Sequence, residues 1–112
     1  MPWWLLRDGE VLASAEVATT LAQRSRGLLG RDGYEGAFIM PHTRAIHSIG
    51  MRFALDVAFL DGELKVLDTA RVPPWRMSLP RHHGRVVLEA EAGAFERWRL
   101  KAGDRLELRQ SR

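Results

Sequence analysis

The strongest constraint on the fold is an alternation of large apolar side chains within residues 53–60. They occupy every second position, namely Phe53, Leu55, Val57 and Phe59. Because successive strand side chains point to opposite faces, these four must share one face of a strand. The Asp61-Gly62 pair that follows predicts a tight hairpin, and residues 64–69 are its predicted return strand. The sequence therefore predicts a β-hairpin here, and its first strand, residues 53–60, is the clearest of the chain.

Further elements are predicted on both sides of this hairpin. The Asp8-Gly9 pair lies between two apolar stretches and predicts a second hairpin over residues 3–13. Thr20 and Gln23 form a T-x-x-Q capping box, which predicts that a short helix begins there. The other predicted strands cover residues 37–40, 46–51, 85–91 and 106–108, and residues 94–100 form a second short helical segment.

Composition and length favour one ordinary globular domain over residues 1–112. Apolar residues make up 46% of the chain and charged residues 28%. The element pattern predicts a β-rich α+β fold, with a compact barrel-like or strongly curved sheet and one principal short helix. There are no cysteines, which excludes disulfides and thiolate metal sites. No apolar run is long enough to span a membrane or to serve as a secretory signal, which predicts a cytoplasmic location.

Residues 71–85 form a basic, proline-rich segment. Its three prolines exclude a regular central strand and predict an irregular surface loop. It holds four arginines and no acid, although the whole chain carries a net charge of only +3. Arg76 and Arg81 are suited to gripping phosphate, and Trp75 to stacking on a base or sugar. The alternative is a solvated loop whose Trp75 folds back as an anchor.

Asp56 is the most informative single residue of the chain. In a regular strand it shares a face with Ala54 and Ala58, and a carboxylate in such surroundings is destabilising unless it is hydrogen-bonded or paired. One interpretation is structural, with Asp56 accepting backbone N–H bonds or pairing with Arg26 or Arg31. The other is a ligand anchor or general base, since burial raises the pKa of a carboxyl group. Both predict poor exposure and at least two hydrogen-bonding partners.

Histidine and methionine side chains are concentrated in residues 40–51. If residues 46–51 are extended, His47 and Met51 share a face and are candidates for ligand binding. Imidazole and thioether together suit copper, and His42 and His47 with Asp56 would suit zinc or iron. The spacing matches no standard metal motif, and three converging ligands would be needed. The sequence therefore predicts no bound metal and no cofactor.

A series of short motifs follows in a fixed order along most of the chain. It consists of Arg26-Gly27-Leu28, Gly30-Arg31, Phe38, Met40, Met51, residues 55–61 (L-D-V-A-F-L-D), Val87-Leu88-Glu89, Gly93 and Gly103-Asp104. From about residue 15 to 108 this order resembles the domain-of-unknown-function 192 (DUF192) family of small bacterial and archaeal proteins. The resemblance implies a compact β-rich domain, which in family members often follows an export or lipoprotein signal. The chain departs from the family in having Ala54 where proline is common. The resemblance implies a fold and no particular activity.

Three functional hypotheses remain open. The leading one is a non-catalytic binding module for a small ligand or a protein partner, with its site around Asp56, His47 and Met51 and residues 71–85 as the rim. The first alternative is an enzyme that uses Asp56 or His47 as an acid or base. The second is a nucleic-acid-binding accessory protein. The candidate binding residues are Asp56, His47, Met51, Arg26, Trp75, Arg76 and Arg81.

Overall fold

The computed structural model describes residues 2–111, whose backbone forms seven β-strands and two short α-helices. In chain order these are β1 (Trp3–Arg7), β2 (Glu10–Val17), α1 (Leu21–Arg26), β3 (Ala37–Pro41), β4 (Leu55–Leu60), β5 (Val66–Val72), β6 (Val86–Glu91), α2 (Ala94–Trp98) and β7 (Leu106–Gln110). The principal helix expected from the sequence, α1, is thus accompanied by the five-residue α2. Within residues 2–111 no helix is long and apolar enough to cross a membrane.

All seven strands belong to one mixed sheet with the order β5-β4-β6-β3-β2-β1-β7. β2 and β3 are parallel, with α1 between them in the chain, and the other neighbouring strands are antiparallel. The sheet curves so strongly that its two edges meet at one end, where the Val66 N–H donates to the Asp104 carbonyl over 2.8 Å. The sheet is not closed into a barrel. The prediction of a β-rich α+β fold with a strongly curved sheet is confirmed.

The strand β4 lies between β5 and β6, and all six of its residues are buried. Leu55, Val57 and Phe59 pack in the apolar cluster on one face of the sheet, whereas Ala58 and Leu60 pack in a second cluster on the opposite face. The predicted alternation is therefore present, but both faces of the strand are covered. The strand begins at Leu55, two residues later than predicted. Residue 53, a phenylalanine, is half-buried against the first cluster.

Two local predictions are confirmed at the start of the chain. β1 and β2 form a hairpin in which Asp8 and Gly9 both have positive φ, at 52° and 79°. α1 begins with the predicted capping box, in which the Gln23 N–H donates to Thr20 Oγ1 over 3.1 Å. In return the Thr20 N–H donates to Gln23 Oε1, also over 3.1 Å. Each side chain thus satisfies a backbone group that the first helical turn leaves without a partner.

Two other local predictions are wrong. Residues 46–51 are not a strand but an irregular segment with one isolated bridge, between His47 and Met77. The return strand after Asp61 does not follow a two-residue turn and begins only at Val66. The reason is local: Asp61 Oδ1 accepts hydrogen bonds from the N–H groups of residues 63 and 65, which enlarges the turn. Leu64 then takes the positive φ, at 64°.

Phe59 is fully buried in the centre of β4, so its truncation should strongly destabilise the protein. We expect Phe59→Ala to lower the free energy of unfolding by about 3–5 kcal/mol, through lost burial and the cavity left behind. Urea denaturation monitored by circular dichroism would measure the change. The control is Val11→Ala, because Val11 is 54% exposed. Equal losses for the two variants would contradict the assigned packing.

Candidate functional site

A cleft of about 230 Å³ lies between the C-terminal end of α1, residues 45–51 and the face of the sheet formed by β3 and β6. We call it the Glu89 pocket. Its lining has three parts: a buried carboxyl group from Glu89, apolar side chains from Leu28, Leu29, Met40, Ile46, Ile49 and Met51, and basic side chains from Arg24, Arg26 and His47. The structure thus brings together three of the candidate residues, Arg26, His47 and Met51.

Glu89 lies at the bottom of this pocket in the middle of the sheet. On β6 it pairs with Val57 of β4 on one side and with Phe38 of β3 on the other. The residue is only 3% exposed, and its Oε1 atom has no hydrogen-bond partner among the residues described. Burial raises the pKa of Glu89 to about 7. Its carboxyl group can therefore gain or lose a proton near neutral pH.

Gly27 makes room for this carboxyl group at the end of α1. Its N–H donates to the Gln23 carbonyl over 2.9 Å, and its φ is +54°, which disfavours a side chain. A Cβ at this position would lie 3.1 Å from Glu89 Oε1 and 3.9 Å from Met40 Sδ. The glycine of the Arg26-Gly27-Leu28 motif is therefore explained by the close approach of the helix end to Glu89.

The basic side chains of the pocket keep their charge available for a ligand. Arg24 Nη1 donates to the Pro41 carbonyl over 3.3 Å, and Arg26 Nε donates to the Leu29 carbonyl over 3.3 Å. Within residues 2–111 neither arginine forms an ion pair with a carboxylate. The pocket therefore combines a buried acid at its floor with two cations whose charge is not neutralised by a nearby side chain.

Asp56 lies on the opposite face of the sheet and binds the start of α2. Its Oδ2 accepts hydrogen bonds from the N–H groups of Gly93 at 2.8 Å and Phe95 at 3.1 Å. Its Oδ1 accepts a bond from Arg71 Nε at 3.1 Å. The expectation of poor exposure with at least two partners is confirmed, and the paired arginine is neither Arg26 nor Arg31. The structure does not bring Asp56 together with His47 and Met51.

The predicted loop over residues 71–85 begins two residues later than expected, because Arg71 and Val72 belong to β5. Residues 73–85 are an irregular surface segment, with Trp75 and Arg76 exposed. Trp75 does not fold back over the core. Arg81 Nη2 lies 3.2 Å from Asp68 Oδ2, so this candidate arginine is paired with a carboxylate. The segment packs beside residues 46–48, whose other side lines the Glu89 pocket. It therefore borders the pocket as an outer wall.

Among residues 2–111 no three histidine, aspartate or glutamate side chains come together as metal ligands would. His42 and His47 do not converge with Asp56, which lies on the other face of the sheet. The absence of a metal and of a cofactor stays a prediction.

Sequence reasoning missed Glu89, which appeared there only as the last letter of the V-L-E motif. The signal was present in residues 86–90 (V-V-L-E-A), where Glu89 is the one charged residue in an apolar stretch. The argument that singled out Asp56, an acid among apolar strand neighbours, applies equally to Glu89. What the sequence could not give is which of the two acids is satisfied by the protein itself.

Comparisons with known proteins agree with this fold. The DUF192 family model, described as "Uncharacterized ACR", matches residues 5–108. A UPF0127 protein of Pyrococcus furiosus is 32% identical over 103 residues, which cover 88% of this chain and 89% of that protein. One from Pyrococcus abyssi is 33% identical over 97 residues, covering 82% and 83%. A crystal structure of a protein of unknown function from Novosphingobium aromaticivorans matches with a TM-score of 0.77 and 24% identity, covering 96% and 84%, and supports the fold alone.

The hydrogen bonds to Asp56 predict a loss of stability when its charge is removed. Asp56→Asn should lower the free energy of unfolding by about 1.5–3 kcal/mol, the usual contribution of hydrogen bonds to a charged group. Urea denaturation at neutral pH measures this. Asp32→Asn is the matched control, because the Asp32 side chain is 87% exposed and pairs with the exposed Arg52. If the control variant loses as much stability, the hydrogen bonds of Asp56 to the start of α2 do not explain the effect.

Glu89 predicts a dependence of stability on pH. Because its pKa is raised from 4.5 to about 7 in the folded protein, the folded state keeps a proton that the unfolded state has lost in this range. The free energy of unfolding should therefore fall as the pH rises from about 4.5 to about 7. Glu89→Gln should remove this contribution, which is at most about 3 kcal/mol. The measurement is the free energy of unfolding against pH for the unmodified protein and for Glu89→Gln, with Glu107→Gln as control. Parallel profiles for the first two proteins would contradict a raised pKa for Glu89.

Proposed function

The chain belongs to the DUF192 family, and from that premise we propose that it is a non-catalytic binding module that takes a small ligand in the Glu89 pocket. The supporting observation is Glu89 Oε1, a buried acceptor that has no hydrogen-bond partner among residues 2–111 and belongs to a residue lining the cleft. Leaving such an atom unsatisfied is destabilising, and buried polar atoms in native proteins usually have a partner. A ligand that donates a hydrogen bond would supply one.

The lining of the pocket supports one class of ligand. The Oε1 atom of Glu89 can accept a hydrogen bond from an N–H or O–H group of a ligand. The side chains of Met40 and Met51 form an adaptable apolar wall. Arg24 and Arg26, which also line the pocket, suit a carboxylate or phosphate. The volume of about 230 Å³ is below that of pockets for drug-sized molecules. The proposed ligand is therefore a small molecule that carries both a hydrogen-bond donor and an acidic group.

General acid–base catalysis is the second candidate function. The observation in its favour is the pKa of Glu89 at about 7, since a group that titrates near the working pH is an efficient proton donor and acceptor. In this version Glu89 takes the role that the sequence suggested for Asp56, and His47 on the rim is the second titratable group. The nucleic-acid hypothesis, a protein partner and a cytoplasmic location stay predictions.

Methyl NMR provides a direct test of the binding proposal. The protein carries four methionines, and Met40 and Met51 both line the pocket, so their methyl resonances report on its occupancy. We expect members of a panel of amino acids, hydroxy acids and phosphorylated amines to shift these two resonances. Glu89→Leu and Arg26→Ala should each weaken that response at least about tenfold, the loss expected when a charged hydrogen bond is removed.

Two controls make the outcome decisive. Arg97→Ala removes an exposed arginine on α2, where it is remote from the pocket lining, and should bind as the unmodified protein does. Native mass spectrometry of the freshly purified protein tests in parallel for a ligand that is already bound. The binding proposal fails for these classes if no compound shifts Met40 and Met51, or if the shifts survive Glu89→Leu. Conversion of a bound compound over time, lost in Glu89→Gln, would favour the catalytic candidate.

A further inference from the structure

We propose that residues 73–79 form a docking loop for membrane surfaces rich in anionic lipid. The inference is independent of the ligand proposed for the Glu89 pocket. It starts from three large apolar side chains that lie within five residues and are mostly in solvent: Trp75 is 65% exposed, Met77 is 75% exposed and Leu79 is 79% exposed. Scattered exposed apolar residues are common on proteins, but a contiguous group indicates a contact surface.

The alternation of the segment turns these side chains outward. Ser78 points inward, because its Oγ accepts a hydrogen bond from the Ile46 N–H over 2.9 Å. Met77 lies in the bridge to His47, so this stretch is extended and its neighbours alternate between two sides. Met77 and Leu79, one on each side of Ser78 in the chain, therefore face away from the protein.

Backbone hydrogen bonds hold the docking loop in this position. Ser48 is fully buried, and its Oγ donates to the Pro73 carbonyl over 2.5 Å and accepts from the Arg76 N–H over 2.9 Å. The Trp75 N–H donates to the Ser48 carbonyl over 2.8 Å, which holds Trp75 at a positive φ of 66°. The apolar side chains are thus presented by a fixed backbone, and docking needs little further ordering.

The charge around the docking loop is mainly positive, although Arg71 is paired with Asp56 and Arg81 with Asp68. Residues 71–85 contain four arginines and no acid. Arg76 and Arg85 donate only to backbone carbonyls, and within residues 2–111 neither forms an ion pair with a carboxylate. Arg44, also exposed, lies beside them, since its carbonyl accepts from the Arg81 N–H over 3.0 Å. Three exposed arginines, Arg44, Arg76 and Arg85, therefore lie in or near the docking loop without a carboxylate partner among residues 2–111.

This combination fits an anionic bilayer better than other partners. Tryptophan is favoured at the membrane–water interface, and aliphatic side chains such as Met77 and Leu79 can enter the acyl region. The exposed Arg44, Arg76 and Arg85 can bind lipid phosphates, each strengthening attachment to a negative surface. Nucleic acid would use the arginines and Trp75 but would gain nothing from two exposed aliphatic side chains. A uniformly negative surface is also the complement of a loop that carries no acid.

Vesicle co-sedimentation tests the proposal with the full chain. We expect binding to vesicles of an equimolar mixture of phosphatidylcholine and phosphatidylserine, weak binding to phosphatidylcholine alone, and loss of binding as salt is raised. The double substitution Met77→Ser and Leu79→Ser should weaken binding at least about tenfold, because the apolar contact is lost. Leu21→Ser is the matched control, since Leu21 is 70% exposed on α1, and should bind normally.

The arginines have their own matched pair of variants. Arg76→Ala should weaken binding to the anionic vesicles about fivefold, whereas Arg97→Ala on α2 should leave it unchanged. Circular dichroism of each variant confirms that it is folded. None of the docking-loop residues lines the Glu89 pocket. Ligand binding in that pocket should therefore persist in the variant with Met77 and Leu79 replaced. The two proposals can therefore fail separately.

Three outcomes would overturn the proposal. The first is no binding to anionic vesicles, or binding that survives the loss of Met77 and Leu79. The second is binding of a labelled oligonucleotide that Arg76→Ala weakens, in the absence of vesicle binding, which would assign the docking loop to nucleic acid. The third is self-association in sedimentation velocity that the Met77 and Leu79 variant abolishes, without vesicle binding, which would assign it to a second copy of the chain.

Discussion

The burial of β4 on both faces is the constraint on which the rest of the structure depends. A strand with all six side chains buried needs a neighbour on each edge and a layer on each face. β5 and β6 supply the edges, while Phe95 of α2 belongs to the apolar cluster on one face and Leu28, which follows α1, belongs to the cluster on the other. Phe95 of α2 thus contributes to the layer on one face of the strand, and the residues that follow α1 contribute to the layer on the other.

Two acids at the centre of the sheet have opposite surroundings. Asp56 on β4 pairs with Ala90, and the preceding residue of β6, Glu89, pairs with Val57, so the two carboxyl groups point to opposite faces. Asp56 accepts two backbone hydrogen bonds and one from Arg71, so the protein satisfies it. Glu89 has a raised pKa, and its Oε1 has no hydrogen-bond partner in the part of the chain that the structure describes. The carboxyl group on one face thus has a structural role, whereas the one on the other face has an oxygen to which the described residues donate no hydrogen bond.

Local signals in the sequence were sufficient for most strands and for the start of α1. Asp8-Gly9 and the Thr20–Gln23 box act within a few residues, so their outcome could be predicted. The Glu89 pocket could not be predicted in the same way, because it joins α1, residues 45–51 and β6 across large separations in the chain. The conformation of residues 46–51 could not be predicted either, because it depends on hydrogen bonds to residues 75–78, which are distant in the chain.

The hydrogen bonds between residues 46–48 and residues 75–78 connect the Glu89 pocket with the docking loop. Residues 45–51 line the Glu89 pocket with Ile46 and Met51, and through Ser48 the same residues hold the docking loop. Among the described residues, this segment belongs to no strand and has one isolated bridge, between His47 and Met77. The buried Ser48 supplies hydrogen bonds where a regular ladder is missing. A buried hydroxyl that serves both a carbonyl and an N–H fixes the backbone on either side of it. The position of residues 46–48 beside the pocket and the presentation of Trp75 therefore both depend on the hydrogen bonds that Ser48 and Ser78 make between the two segments.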